Sequence, residues 1–206
     1  MALVKALRAK VSINTQGNHM AGERKQQILE TLAKMLENPK REKITTAALA
    51  AKLEVSEAAL YRHFANKAQM FEGLIEFIEA SIFGVINKIT TDETDGTKQT
   101  HLISSMLLRF AEKNPGMTRV LIGDALINED EKLQIRINQL YVRIEASIKQ
   151  SLRIAETQTG KKNDPEAHAN LIVCFIMGRW QQYVKSGFKR KPLEFVQAQL
   201  SLLTSI

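Results

Sequence analysis

The chain has 206 residues, 44% of them hydrophobic and 25% charged, with 29 Lys and Arg against 22 Asp and Glu for a formal charge of +7. That length buries one sizeable core, or a small head and a larger body, without metals, and the single cysteine excludes a disulfide framework. The longest apolar run, residues 171–177, is too short for a membrane span, and HExxH, GxGxxG, paired cysteines and acid dyads are all missing, so nothing supports an enzyme.

Residues 1–20 carry Lys5, Arg8 and Lys10 with no acid and end at His19-Met20, a second plausible start. They read as an extension left by cloning rather than a transit peptide. Setting aside those three cations takes the charge from +7 to +4, so the remaining basicity is mild. Residues 23–70 hold nine basic and six acidic side chains, and bulk charge is therefore weak evidence for a nucleic-acid partner.

The first helix is expected over residues 23–37, with Ile28, Leu32, Met35 and Leu36 on one face and a stop at Asn38-Pro39. Residues 44–67, ITTAALAAKLEVSEAALYRHFANK, then read as two short helices about a tight turn. Thr45 or Thr46 caps the first, which stops at Glu54-Val55, and Ser56 caps the second. Leu60 and Phe64, four apart, face inward, and Val55 plugs the turn. Glu57, Ala58, Tyr61 and Arg62 are left outward, and the small Ala58 and Ala59 allow close approach to a major-groove floor. Tyr61, His63 and Lys67 suit phosphate oxygens, whereas Arg62 alone can fork onto guanine.

Asn66 caps a connector in which Met70, Leu74, Phe77, Ile78, Ile82, Val85 and Ile89 keep helical spacing up to a polar linker at 90–97. It starts at Lys67 and runs into the body, so a tilt of the body would reach the head. Body helices are expected over 98–113, then to about 125, over 129–156, 165–186 and 193–203. The helix over 165–186 is apolar all round at 171–177, which calls for a second subunit on its outer side. Two such helices from each subunit make a four-helix bundle and a two-fold homodimer, and the DNA site is then palindromic. Cys174 lies in the same run and reads as a buried structural thiol in a reducing compartment. Lys161-Lys162 and Lys189-Arg190-Lys191 read as solvated faces, and His101, Asn138, Gln139, His168 and Trp180 as packing or surface.

The pattern Thr45-Thr46, Leu49-Ala50, Val55-Ser56, Leu60-Tyr61, His63-Phe64 and Lys67 resembles the N-terminal domain of TetR-type regulators. Glu54 departs from it, since that family usually has glycine there for a turn needing positive φ. The resemblance implies an all-α fold of about nine helices. Residues 21–67 would form a helix-turn-helix head, and residues 68–206 a helical effector and dimerisation body. The candidate DNA-contacting set is Thr45, Thr46, Ser56, Glu57, Ala58, Ala59, Tyr61, Arg62, His63 and Lys67.

Three further stretches, 74–79, 113–119 and 136–145, resemble the nucleoid occlusion branch of that family, and the likeness weakens after Phe188. It implies a cytoplasmic, nucleoid-associated protein that binds chromosomal sites and, when bound, antagonises the division protein FtsZ. It further implies that the FtsZ tail lies between the connector and the next helix, at Phe77, Met106, Lys113 and Asn114. Val85 and Arg109 depart from that branch at the groove's edge. Phe77 and Met106 read equally as groove lining or as core. No cofactor or metal is implied. The head taken alone supports an alternative, a ligand-responsive TetR-type repressor.

Overall fold

A computed structural model describes residues 16–38, 44–161 and 164–204, with side chains from Gly22 onward. Among the described residues there are nine α-helices, one 3-10 turn and no strand. The helices are α1 (Gln16–Met35), α2 (Thr46–Lys52), α3 (Glu57–Tyr61), α4 (Lys67–Asp92), α5 (Gly96–Lys113), α6 (Pro115–Leu121), α7 (Glu131–Thr159), α8 (Pro165–Lys185) and α9 (Val196–Thr204); the 3-10 turn is Asp124–Leu126. The expected all-α architecture is what forms. Residues 1–15, the greater part of the segment read as a cloning extension, lie outside the described residues.

Side-chain caps start most of these helices. Thr45 Oγ1 accepts the Ala48 N–H at 3.1 Å, Ser56 Oγ the Ala59 N–H at 3.3 Å and Asn66 Oδ1 the Gln69 N–H at 2.9 Å. Asp95 does the same for Lys98 at 3.0 Å, which starts α5 at Gly96 rather than at 98. Gly96 is needed there for space: a Cβ would sit 2.3 Å from Ser151 O and Ala155 N of α7. At the other end, Phe195 takes φ +62°, so the last helix begins at Val196 instead of 193.

Ile28, Leu32, Leu36, Leu49, Leu60 and Phe64 bury the small core of the head. Met70, Phe71, Leu74 and Ile78 carry that core up α4 into the body, where α5, α7 and α8 close around Ile103, Leu107, Ile137, Leu140, Ile144, Ile172 and Ile176. Trp180 is fully buried, and its indole N–H donates to Leu107 O at 3.3 Å. Arg136 of α7 reaches Glu79 of α4 at 2.7 Å and fixes the connector against the body.

One expectation is overturned. Cys174 is exposed, not buried. Ile172, Ile176 and Trp180 turn inward from α8, and the 100° step between residues puts Leu171, Cys174 and Gly178 on the opposite, open arc. Ile135 and Val142 of α7 are likewise half or more exposed, so both long C-terminal helices leave apolar side chains uncovered, as a second protomer would require.

Candidate DNA-binding interface and its link to the body

The turn between α2 and α3 is closed by the backbone. Glu54 stands at φ +57°, in the left-handed region, and the Val55 N–H returns to Ala50 O at 3.0 Å. Glutamate therefore occupies a position built for glycine, at a cost of about 1 kcal/mol. Val55 is half-buried beside it, while Leu60 and Phe64 face the core, as the four-residue spacing required. A side-chain chain ties the two helices together: Tyr61 Oη donates to Thr46 Oγ1 at 3.4 Å, and Thr46 Oγ1 donates to Glu57 Oε2 at 2.6 Å. α3 is shorter than expected, ending at Tyr61, and the chain turns through Arg62 and His63 to reach Phe64.

The candidate contact residues divide by exposure. Thr45, Ser56, Glu57, Ala58, Tyr61 and Arg62 are exposed, and Thr46, Ala59 and His63 are half-buried at the edge of the same surface. Thr45 and Ser56 have their hydroxyl oxygens engaged as caps, which leaves the hydroxyl hydrogens free to donate outward. Arg62 forms no ion pair with a described carboxylate.

Lys67 stands apart from this set. Its Nζ lies 2.5 Å from Glu129 Oε1 and 5.6 Å from the Phe71 ring centroid, with the two charged side chains only 22% and 11% exposed. The first residue of the connector is thus held by the body rather than offered to solvent. A phosphate would have to compete with Glu129 for it.

A second tie lies alongside. The buried Arg119 of α6 donates from Nε to Asp124 Oδ2 at 2.6 Å and from Nη1 to the carbonyls of Leu36 at 3.2 Å and Asn38 at 3.4 Å. The end of α1, where helical carbonyls lack partners, is therefore satisfied from the body. Gly116 makes this approach possible, because a Cβ there would lie 2.0 Å from Ala33 O. Between the two ion pairs is a cleft of about 270 Å³ walled by Leu36, Ile44, Phe71 and Ile127. The sequence reading missed Arg119 and Glu129. For Arg119 a signal existed: an arginine set directly before Val120 and Leu121 must either break that run or find buried acceptors.

The candidate tail groove is less uniform. Phe77 and Met106 are both half-buried, and Met106 packs against the central core. Lys113 is exposed at the last turn of α5, whereas Asn114 donates its amide to Phe110 O at 2.7 Å and joins α5 to α6.

Comparison with known proteins places this geometry. Residues 42–74 match the family described as bacterial regulatory proteins, tetR family, and residues 95–206 match the SlmA-like form of the tetracyclin repressor-like C-terminal domain. Among solved structures, the TetR family transcriptional regulator PfmR from Thermus thermophilus superposes with a TM-score of 0.71 at 19% identity, covering 86% of this chain and 97% of that one. The regulator FadR from Bacillus subtilis, in complex with stearoyl-CoA, gives 0.71 at 16% identity over 87% and 97%. At these identities the superpositions establish the fold alone, and the two matched families make the chain a TetR-type DNA-binding regulator. The nucleoid occlusion factor SlmA of Alteromonas mediterranea is 51% identical over 173 residues, covering 83% of this chain and 89% of its own. That of Shewanella oneidensis is 50% identical over 186 residues, covering 86% and 94%. The chain belongs to the SlmA family of TetR-type regulators. No described helix is long and apolar enough to cross a membrane.

Proposed function

We propose that this protein is a nucleoid occlusion factor: a DNA-binding homodimer that, while seated on chromosomal palindromes, inhibits assembly of the FtsZ ring. The observation that carries the reading is identity of about half over more than four-fifths of the chain with SlmA proteins, spanning head and body alike. Residues 21–67 read DNA in this scheme and residues 68–206 dimerise and receive the partner. Arg62 reads a base, Ala58 and Ala59 admit the groove floor, Tyr61, His63 and Lys67 set register on the phosphates, and Thr45, Thr46, Ser56 and Glu57 complete the contact surface. The uncovered apolar side chains of α7 and α8 support the homodimer. The FtsZ tail docks along α4 and α5, with Phe77 and Met106 as apolar floor and Lys113 and Asn114 at the rim. The protein acts in the cytoplasm, on the nucleoid.

Co-sedimentation of FtsZ polymers tests this directly. With a duplex selected for binding present, the protein is expected to reduce the pelleted polymer, and without the duplex to do so far less. An effect independent of DNA sinks the reading. Release of DNA by a small molecule, with FtsZ unaffected, replaces it with a ligand-responsive repressor.

A further inference from the structure

The run Lys189-Arg190-Lys191, which the sequence alone assigns to a solvated face, sits on a loop built more tightly than solvation requires. Ser186 Oγ accepts the N–H groups of Lys189 at 3.2 Å and Arg190 at 2.9 Å. Phe188 takes φ +66° and sends its N–H to Tyr183 O at 2.8 Å. Arg179 of α8 donates to three loop acceptors, the carbonyls of Lys191 at 2.7 Å, Pro192 at 3.3 Å and Glu194 at 2.8 Å. Ordering a loop this way costs backbone entropy, and what the fixed backbone displays is cationic. Lys185, Lys189, Arg190 and Lys191 are all exposed, and none forms an ion pair with a described carboxylate. Like charges held together on a rigid frame repel one another until an anionic partner arrives.

The position of the loop says which partner. Glu112 of α5 accepts the Leu193 N–H on its carboxylate at 3.3 Å, and its carbonyl accepts the Tyr183 hydroxyl at 3.2 Å. Lys191 Nζ lies 5.4 Å from the centroid of that same Tyr183 ring. The loop is therefore fastened to the residue next to Lys113, at the end of α5. We propose that Lys185, Lys189, Arg190 and Lys191, with Lys113, form a docking surface for an acidic segment of an extended peptide, continuing the α4–α5 groove past its rim. This rests on the reading of that groove as a peptide site. A peptide is favoured over a nucleic acid because the loop is tied to α5 and α8 of the body, not to the helices that carry Arg62 and Tyr61.

Fluorescence anisotropy of the full chain on a duplex, with labelled FtsZ tail peptide, tests the proposal. A second peptide has its Asp and Glu changed to Asn and Gln, and the triple variant is Lys189→Gln, Arg190→Gln, Lys191→Gln. The variant is expected to bind the tail about fivefold more weakly at low salt, with the gap closing near about 0.5 M salt as charges are screened. It should bind the neutralised peptide, and the duplex, as the parent does. Equal affinity for the acidic tail overturns the proposal while leaving the groove intact. A loss confined to duplex affinity also overturns it and assigns the loop to nucleic acid. If the parent itself fails to bind the tail, the groove reading falls and this one with it.

Discussion

The helix-turn-helix and the junction beneath it are held together by different means. Within α2 and α3 each cap serves an amide three residues away, as Thr45 does for Ala48 and Ser56 for Ala59, and the turn closes on its own backbone. At the junction the ties are ionic or steric and join distant parts of the chain: Lys67 to Glu129, Arg119 to the carbonyls of Leu36 and Asn38, Gly116 against Ala33. The head's shape is thus a local matter. Its orientation on the body rests on the core that α4 carries through both and on a few buried or partly buried charges, and the balance of the charged contacts is one that another anion can shift.

The largest effect should come from removing the buried charge at the junction. Arg119→Leu takes the guanidinium away from Asp124 and from the Leu36 and Asn38 carbonyls at the end of α1. Breaking one half of such a pair costs about 3 kcal/mol, read as a lower urea midpoint. A change under about 1 kcal/mol would mean that water replaces the arginine and that the junction is held by packing. Gly116→Ala tests the packing itself, since its Cβ would enter the space 2.0 Å from Ala33 O. Moving α6 away from α1 should cost about 2 kcal/mol, with α2 and α3 unaffected in amide exchange.

The same contrast explains what could be read in advance. Ser56 and Asn66 were visible as caps, Thr45 as one of two candidate threonines, and Leu60 and Phe64 as an inward pair, because each signal spans a few residues. Arg62 and Tyr61 followed as the exposed remainder. Glu129 could not be recognised as the partner of Lys67, since 62 residues separate them and nothing local distinguishes it from a solvated glutamate. Cys174 failed for a related reason: an apolar run says that a helix is covered, not by which chain, and its outward arc is open within one protomer. Lys189-Arg190-Lys191 was legible as charge, but its rigidity comes from Arg179 and Ser186, whose roles depend on the loop's path.

A smaller effect sharpens the local half of the contrast. Glu54→Gly removes a side chain from the left-handed region at φ +57° and should stabilise the fold by roughly 0.5 kcal/mol, the strain relief of about 1 kcal/mol being offset in part by glycine's greater freedom when unfolded. Thermal unfolding reads it as a modest rise in Tm, with DNA affinity retained. A fall in Tm would show that Glu54 makes contacts worth more than its strain.

Glu129→Gln produces the smallest effect and discriminates most sharply. The substitution keeps the side chain's shape and its ability to accept from Lys67 Nζ, but removes the charge that holds the ammonium at 2.5 Å. If Lys67 meets a phosphate on binding, Glu129 opposes that transfer, and neutralising it should tighten DNA binding about twofold for every duplex sequence, on the order of 0.4 kcal/mol for a partly exposed pair. Lys67→Gln should act in the opposite direction and lower the slope of log affinity against log salt by about one. Should Glu129→Gln leave DNA affinity unchanged while Lys67→Gln lowers only the Tm, Lys67 is a strut between head and body. Register on the backbone would then fall to Tyr61 and His63, and the connector would learn of DNA through the position of α3 rather than through a charge of its own.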